Sequence, residues 1–128
     1  GALGSSLNAA AREMKGYRER ILVSRGDELI PLRVSDIGYI RKMDEHVVAV
    51  TRSGDQYRLP LTMQDLEEQL DPSLFFRLNR QYIAHIDSIR KISYFFSSKL
   101  IVRIKGCDED NIVVSKEKSA QFKQWLDK

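Results

Sequence analysis

At 128 residues the chain is long enough for one hydrophobic core and too short for two full domains. Its 42% hydrophobic and 30% charged residues exclude global disorder, and no apolar run approaches the roughly 18 residues that a membrane helix needs. The net charge of +3 decides nothing by itself, and the single cysteine, Cys107, excludes an internal disulfide and a multi-cysteine zinc site. A reducing, cytoplasmic setting is the default expectation.

The chain opens Gly1-Ala2-Leu3-Gly4-Ser5-Ser6 without a methionine, which reads as an expression scar. Residues 8–20, NAAAREMKGYRER, predict a short helix or linker with Asn8 as N-cap. Residues 1–20 are thus expected to lead in from a preceding domain, and residues 21–128 to form the folded unit. From Ile21 the hydrophobic period becomes two. RILVSRG and ELIPLRV flank the hairpin signal Gly26-Asp27, and IGYIRKM and HVVAVTRS flank Asp44-Glu45. After Ser53-Gly54-Asp55, QYRLPL reads as a fifth strand.

Residues 61–70 predict a helix, with Thr62 as N-cap and Asp65 completing a capping box. Met63, Leu66 and Leu70 form its apolar face, and Glu67, Glu68 and Gln69 point outward. Asp71-Pro72 ends it. FFRLNRQYIAHIDSIRKI, residues 75–92, then alternates large apolar side chains with hydrogen-bond donors and carries one acid, Asp87. RKISYFF and KLIVRIKG predict a strand pair around Ser97-Ser98, and NIVVS a last strand. A C-terminal helix over 116–126 is expected, capped by Ser115, with Ala120, Phe122, Trp125 and Leu126 against the sheet. The fold class is therefore mostly β with short helices.

Charge is segregated along the chain. Residues 63–71 hold Asp65, Glu67, Glu68 and Asp71 and no base, whereas residues 77–105 hold seven Lys or Arg against Asp87 alone. A polyanion-binding face has this footprint, and so does a solvated basic sheet. No phosphate loop, nucleophile elbow or paired-cysteine motif is present. His46 and His85 have no partner nucleophile, so no enzyme is expected. Asn79-Arg80-Gln81 offers the side chains that bridge guanine and adenine edges, although a polar turn capped by Asn79, with Arg80 merely solvated, is the favoured reading of the triplet alone. Lys116 in the first turn of a helix opposes the helix dipole, beside free N–H groups that suit an anion.

The stretch 75–92, a hairpin, and NIVVSKEKSAQFKQWL at 111–126 together resemble the LytTR DNA-binding domain of bacterial transcriptional regulators. That family's pattern runs Phe-x-Arg-x-His-Arg-Ser-Tyr-Ile-Val-Asn, with a Val-Ser-Arg opening the last helix. Phe76, Arg77, Arg80, Tyr82, Ile83, Ile86, Ile89, Val114 and Ser115 stand at its positions. IGYIRKMDEHVVAVTRSG and TMQDLEEQL also look like the family's upstream strands and helix, so the resemblance covers residues 20–126. Asn79 departs from the usual His, Gln81 from Ser, His85 from Asn and Lys116 from Arg; a structural turn role is expected for His85.

The resemblance implies an elongated β fold with the C-terminal helix packed on the sheet. It also implies sequence-specific binding of double-stranded DNA through loops entering the major groove. The reading loops then map to Glu45 and His46, to Asn79, Arg80 and Gln81, and to Lys116, with Arg77, Arg90 and Lys91 as phosphate contacts. It further implies binding as a dimer on direct repeats, attachment to a receiver or membrane sensory domain, and no cofactor or metal. The competing expectation is a β-rich protein-interaction module whose basic face meets an acidic partner.

Overall fold

The computed structural model describes residues 16–128. The expected helix or linker over 8–20 lies outside them except for its end, where residues 16–19 form no helix and Arg20 already opens the first strand. Gly16 adopts φ 62, which a helix interior cannot use. Ten strands and two α-helices follow among the described residues.

Strands β1 (Arg20–Arg25) and β2 (Glu28–Arg33) form the first antiparallel hairpin, turned by Gly26 at φ 63. Strands β3 (Ile37–Met43) and β4 (His46–Thr51) are joined by Asp44-Glu45, with Asp44 in the left-handed region. Strand β5 is short, Gln56–Arg58, because the chain reaches Pro60 two residues later and a proline cannot extend the ladder. Helix α1 (Met63–Gln69) starts at the expected capping box, with Thr62 and Asp65 each accepting from the other's backbone N–H.

The stretch 75–92 is divided between two sheets and does not form one surface. Strands β6 (Phe75–Arg77) and β7 (Tyr82–His85) join β3, β4 and β5 in a five-stranded antiparallel sheet, ordered β5-β4-β3-β7-β6. Strand β8 (Ile89–Tyr94) belongs instead to a three-stranded sheet with β9 (Leu100–Ile104) and β10 (Ile112–Val114). Phe95 and Phe96 fall outside β8, in the turn. Helix α2 (Lys116–Leu126) closes the chain.

The five-stranded sheet is the middle layer, and period-two alternation supplies both its faces. Ile40 and Ile83, paired across β3 and β7, are buried with Ile21, Leu32, Leu66 and Phe75 beneath the hairpin and α1. Tyr39 and Ala84, the adjacent pair, face the other way and pack with Val102, Val114 and Phe122. One core thus lies on each side of the sheet, the second closed by the three-stranded sheet and α2.

On α2, Phe122 is fully buried and Trp125 and Leu126 are half-buried, as expected, but Ala120 is exposed. Ala120 is two residues from Phe122, which is 200° around a helix and so on the opposite side. Trp125 also donates its indole N–H to the Pro72 carbonyl at 2.9 Å, tying α2 to the segment before β6.

Two substitutions test this arrangement by urea denaturation. Phe122→Ala should cost about 3–5 kcal/mol, because its cavity opens between two sheets that cannot collapse independently. Thr62→Ala should cost about 1 kcal/mol, the loss of one cap.

Candidate nucleic-acid interface

The β6–β7 loop, residues 78–81, carries three expected readers and is held from within. Asn79 Oδ1 accepts from the backbone N–H of Gln81 at 2.8 Å and of Tyr82 at 3.0 Å. Its amide nitrogen donates to the Val113 carbonyl at 3.0 Å, joining the loop to β10 of the other sheet. Both functional ends of the Asn79 side chain are therefore occupied. Asn79 is the cap of a polar turn, the plainer of its two expected roles.

Arg77 braces the same loop. Its guanidinium donates to the Asn79 carbonyl at 3.2 Å and the Arg80 carbonyl at 3.3 Å, and pairs with Glu67 of α1 at 3.2 Å. With 22% of its side chain exposed, Arg77 presents little charge outward. Glu67, expected to serve only as an outward acid, thus takes part in the site. Lys118 of α2 donates to the Arg77 carbonyl at 3.2 Å, and the Lys42 N–H to the Gln81 carbonyl at 2.8 Å. Four neighbouring elements hold the loop. The Arg80 and Gln81 side chains project from it, exposed and without a polar partner among the described residues.

The other expected readers converge on this end of the molecule. The Lys42–Gln81 bond ties the loop to the end of β3, so Glu45 and His46 stand at the neighbouring hairpin tip, both exposed. Arg58 Nη2 lies against both ring nitrogens of His46. The Asn79–Val113 bond ties the loop to the end of β10, two residues before Ser115. Ser115 stands at the N-cap position, but its hydroxyl makes no cap bond; the backbone carbonyl accepts from Lys118 N at 3.1 Å. The exposed Lys116 follows at the start of α2. A surface depression of about 570 Å³ between loop and helix is lined by Arg80, Lys99, Ser115 and Lys118, among others.

Arg90 and Lys91 are exposed but are not brought to this end. Lys91 pairs with Arg103, three steps before Tyr94 pairs with Leu100 at the loop end, and Arg90 sits at the register shift beyond it. At about 3.3 Å per residue, Lys91 is roughly 10 Å back along the sheet. Lys42, Lys99 and Lys118 were not singled out from sequence. Lys99 carries no local motif, and its nearness to Lys116 depends on the β9–β10 pairing of Leu100 with Val114.

His85 lies at the opposite end of β7. It is 5% exposed, stacks edge-on against Phe75 at 5.1 Å and accepts from Asp87 N at 3.0 Å through Nδ1, which gives it the turn role expected of it. Burial pushes its pKa down, the nearby Arg52 guanidinium adds to this, and Asp87 opposes it. Among the described residues no group of three His, Cys, Asp or Glu could hold a metal ion.

The LytTr DNA-binding domain family matches residues 27–127. A transcriptional regulatory protein of Escherichia coli, YpdB, is 27% identical over 122 residues, which is 95% of this chain and 49% of that protein. A response regulatory protein of Vibrio cholerae is 26% identical over 91 residues, 69% of this chain and 35% of its own length. The chain therefore spans half or less of the length of these relatives. A solved LytTr DNA-binding domain from Bacillus cereus superposes with a TM-score of 0.69 at 18% identity, covering 85% of this chain and 97% of that one. That likeness is in fold, and it agrees with the mostly β architecture and the C-terminal helix.

Two outcomes follow from this geometry. Asn79→Ala should cost about 1–3 kcal/mol by leaving two loop N–H groups and the Val113 carbonyl unpaired, whereas Arg80→Ala should stay within about 0.5 kcal/mol. The folded-state pKa of His85 lies below the ordinary 6.5, so the unfolded chain binds the extra proton first as pH falls. Stability should therefore be fully present above about pH 7 and decline as pH drops through 6.5 toward the lowered folded value. His85→Asn, which can still accept from Asp87 N, should flatten that part of a stability–pH profile.

Proposed function

Because the chain belongs to the LytTr DNA-binding domain family, we propose that it binds double-stranded DNA sequence-specifically as the output domain of a bacterial transcription regulator. It reads the major groove through loops, with no helix lying in the groove. DNA binding is the function for which the family is named, and a relative that matches most of the chain is named as a transcriptional regulatory protein. The observation that carries the finer reading is the convergence of the three reader segments: the β3–β4 tip, the β6–β7 loop and the start of α2. Separate in sequence, they are linked at this end by the Lys42–Gln81 and Asn79–Val113 bonds.

Within this reading the side chains divide by task. Arg80 is the principal reader, because its fork is free and its backbone is clamped; a planar guanidinium suits the two acceptors of guanine. Gln81, His46 and Lys116 complete the reading set, with Glu45 beside them. Lys116 lacks the bidentate geometry of arginine and takes a single acceptor or a phosphate. Asn79 and Arg77 hold the loop in shape. Lys42 and Lys99 neutralise phosphates next to the readers, and Arg90 and Lys91 lie outside the central footprint. The protein acts in the cytoplasm as a dimer on direct repeats, under a receiver or membrane sensory domain in the longer protein.

Selection of bound duplexes from a random pool, followed by salt titration, tests the assignment. A recovered motif with a log–log salt slope near roughly −0.9 per phosphate contact supports it. Affinity for every duplex no better than that of a generic basic protein would sink it. On the selected site Arg80→Ala should cost about 1–3 kcal/mol and relax preference at one position. Lys99→Ala should weaken all duplexes alike and reduce the slope by about 0.9, whereas Arg90→Ala should leave the slope unchanged.

A further inference from the structure

The β8–β9 turn displays two aromatic rings that no core or site described so far uses. Tyr94 is 82% exposed and Phe96 65% exposed, the two most exposed large aromatic side chains among the described residues. Each lies under a cation: Lys99 Nζ is 5.0 Å from the Phe96 centroid and Lys123 Nζ is 5.4 Å from that of Tyr94. Exposed rings usually reflect chance positions on a surface, but this pair is held out by its backbone. Ser97 and Ser98 both adopt left-handed φ, 58 and 60, where non-glycine residues are strained. Phe95 turns inward, half-buried, and its ring meets that of Phe96 at 4.3 Å, which fixes the outer ring from below.

The position of this turn matters as much as its composition. Tyr94 pairs with Leu100, and Leu100 pairs with Val114, which directly precedes Ser115 and Lys116. The turn is thus at the loop end, and Lys99 lines the same depression as Arg80 and Ser115. A pair of rings with ammonium groups above them, continuous with a set of free cations, matches the surface of a nucleic acid. Phosphates take the lysines, and the apolar sugar and base edges between them take the rings.

We infer that the Tyr94–Phe96 turn is a fourth DNA-contacting element, in which Phe96 packs against the groove wall beside the reading site while Lys99 and Lys123 meet the flanking phosphates. This rests on the DNA-binding reading above and extends it to a segment outside the three reader loops. A ring on a stiff turn adds contact area at little cost in side-chain entropy. Its contribution is independent of base identity, so it extends the footprint without altering the motif.

The test uses the duplex recovered by selection, extended by random sequence on both sides, with hydroxyl-radical footprinting and fluorescence anisotropy. The Tyr94→Ala, Phe96→Ala double variant should keep the native circular dichroism spectrum, since both rings are exposed. It should lose protection at one edge of the footprint and bind about ten-fold more weakly, with the salt slope and the selected motif unchanged. Phe96→Trp should keep both footprint edge and affinity. A folded double variant with the full footprint and unchanged affinity would overturn the fourth contact while leaving the DNA-binding reading intact. Failure of the unaltered protein to bind any duplex specifically would overturn both.

Discussion

The candidate interface depends on one side chain that does not face outward. The Asn79 amide closes the β6–β7 loop with its oxygen and reaches the second sheet with its nitrogen. These bonds fix where Arg80 leaves the backbone, and they also fix the distance between that point and the start of α2. Arg77 reinforces the arrangement from the other side by donating to two loop carbonyls while Glu67 neutralises it. A loop of four residues has enough conformational freedom to blur any recognition. Five side-chain hydrogen bonds to its backbone atoms or across to β10 remove most of that freedom before a ligand arrives, which is the form of preorganisation that favours affinity. The underlying requirement is the middle sheet, whose alternation puts Ile40 and Ile83 in one core and Tyr39 and Ala84 in the other. Only a strand buried on both faces can bring the two outer layers into fixed register.

Much of this was legible in the sequence, and the legible part has a common character. The Gly26-Asp27 and Asp44-Glu45 turns, the Thr62–Asp65 capping box and the strand runs are local signals, spaced within a few residues, and each formed where it was read, although β5 and β8 stop short of their runs. What was not legible depended on pairing between distant segments. Residues 75–92 look continuous in sequence because their apolar spacing continues through Ile86-Asp87-Ser88, yet a single 3₁₀ turn there moves the chain from one sheet to another. Ala120 is exposed because its spacing sets it 200° from Phe122 around the helix, an angle that its apolar character alone does not convey. That Lys99 stands at the loop end, and that Arg90 and Lys91, expected as phosphate contacts, stand back from it, follows from a strand register that only the fold defines.

The structure also changes the meaning of the departures from the family pattern. A substitution at position 79 looks, in sequence, like a change of reading residue. With both ends of the Asn79 amide committed to backbone groups, it acts first on loop shape. His85 in place of the usual Asn keeps the acceptor for Asp87 N and adds a titratable ring at the end of β7 remote from the loop. Its effect falls on stability and its pH dependence, away from the interface. Under the proposed function, the departures left to bear on sequence preference are Gln81, which projects from the clamped loop, and Lys116.

Lys116 sharpens the electrostatic argument. A cation in the first turn of an 11-residue helix faces the positive end of the helix dipole, and Arg80, Lys99 and Lys118 line the adjoining depression. In the free protein these charges repel one another, with Glu67 the one acid lining that depression and already paired to Arg77. Each contact is weak when exposed, of order 1 kcal/mol or less, so the fold tolerates the crowding. A polyanion placed there offsets those repulsions with attractions to each cation and adds to Glu117 a second negative charge at the helix N-terminus. Under the proposed function, Arg80, Lys99 and Lys116, which add little to the stability of the isolated domain, therefore have the most to gain on binding, whereas at the His85 end Arg52 and Asp87 already face each other at 3.9 Å.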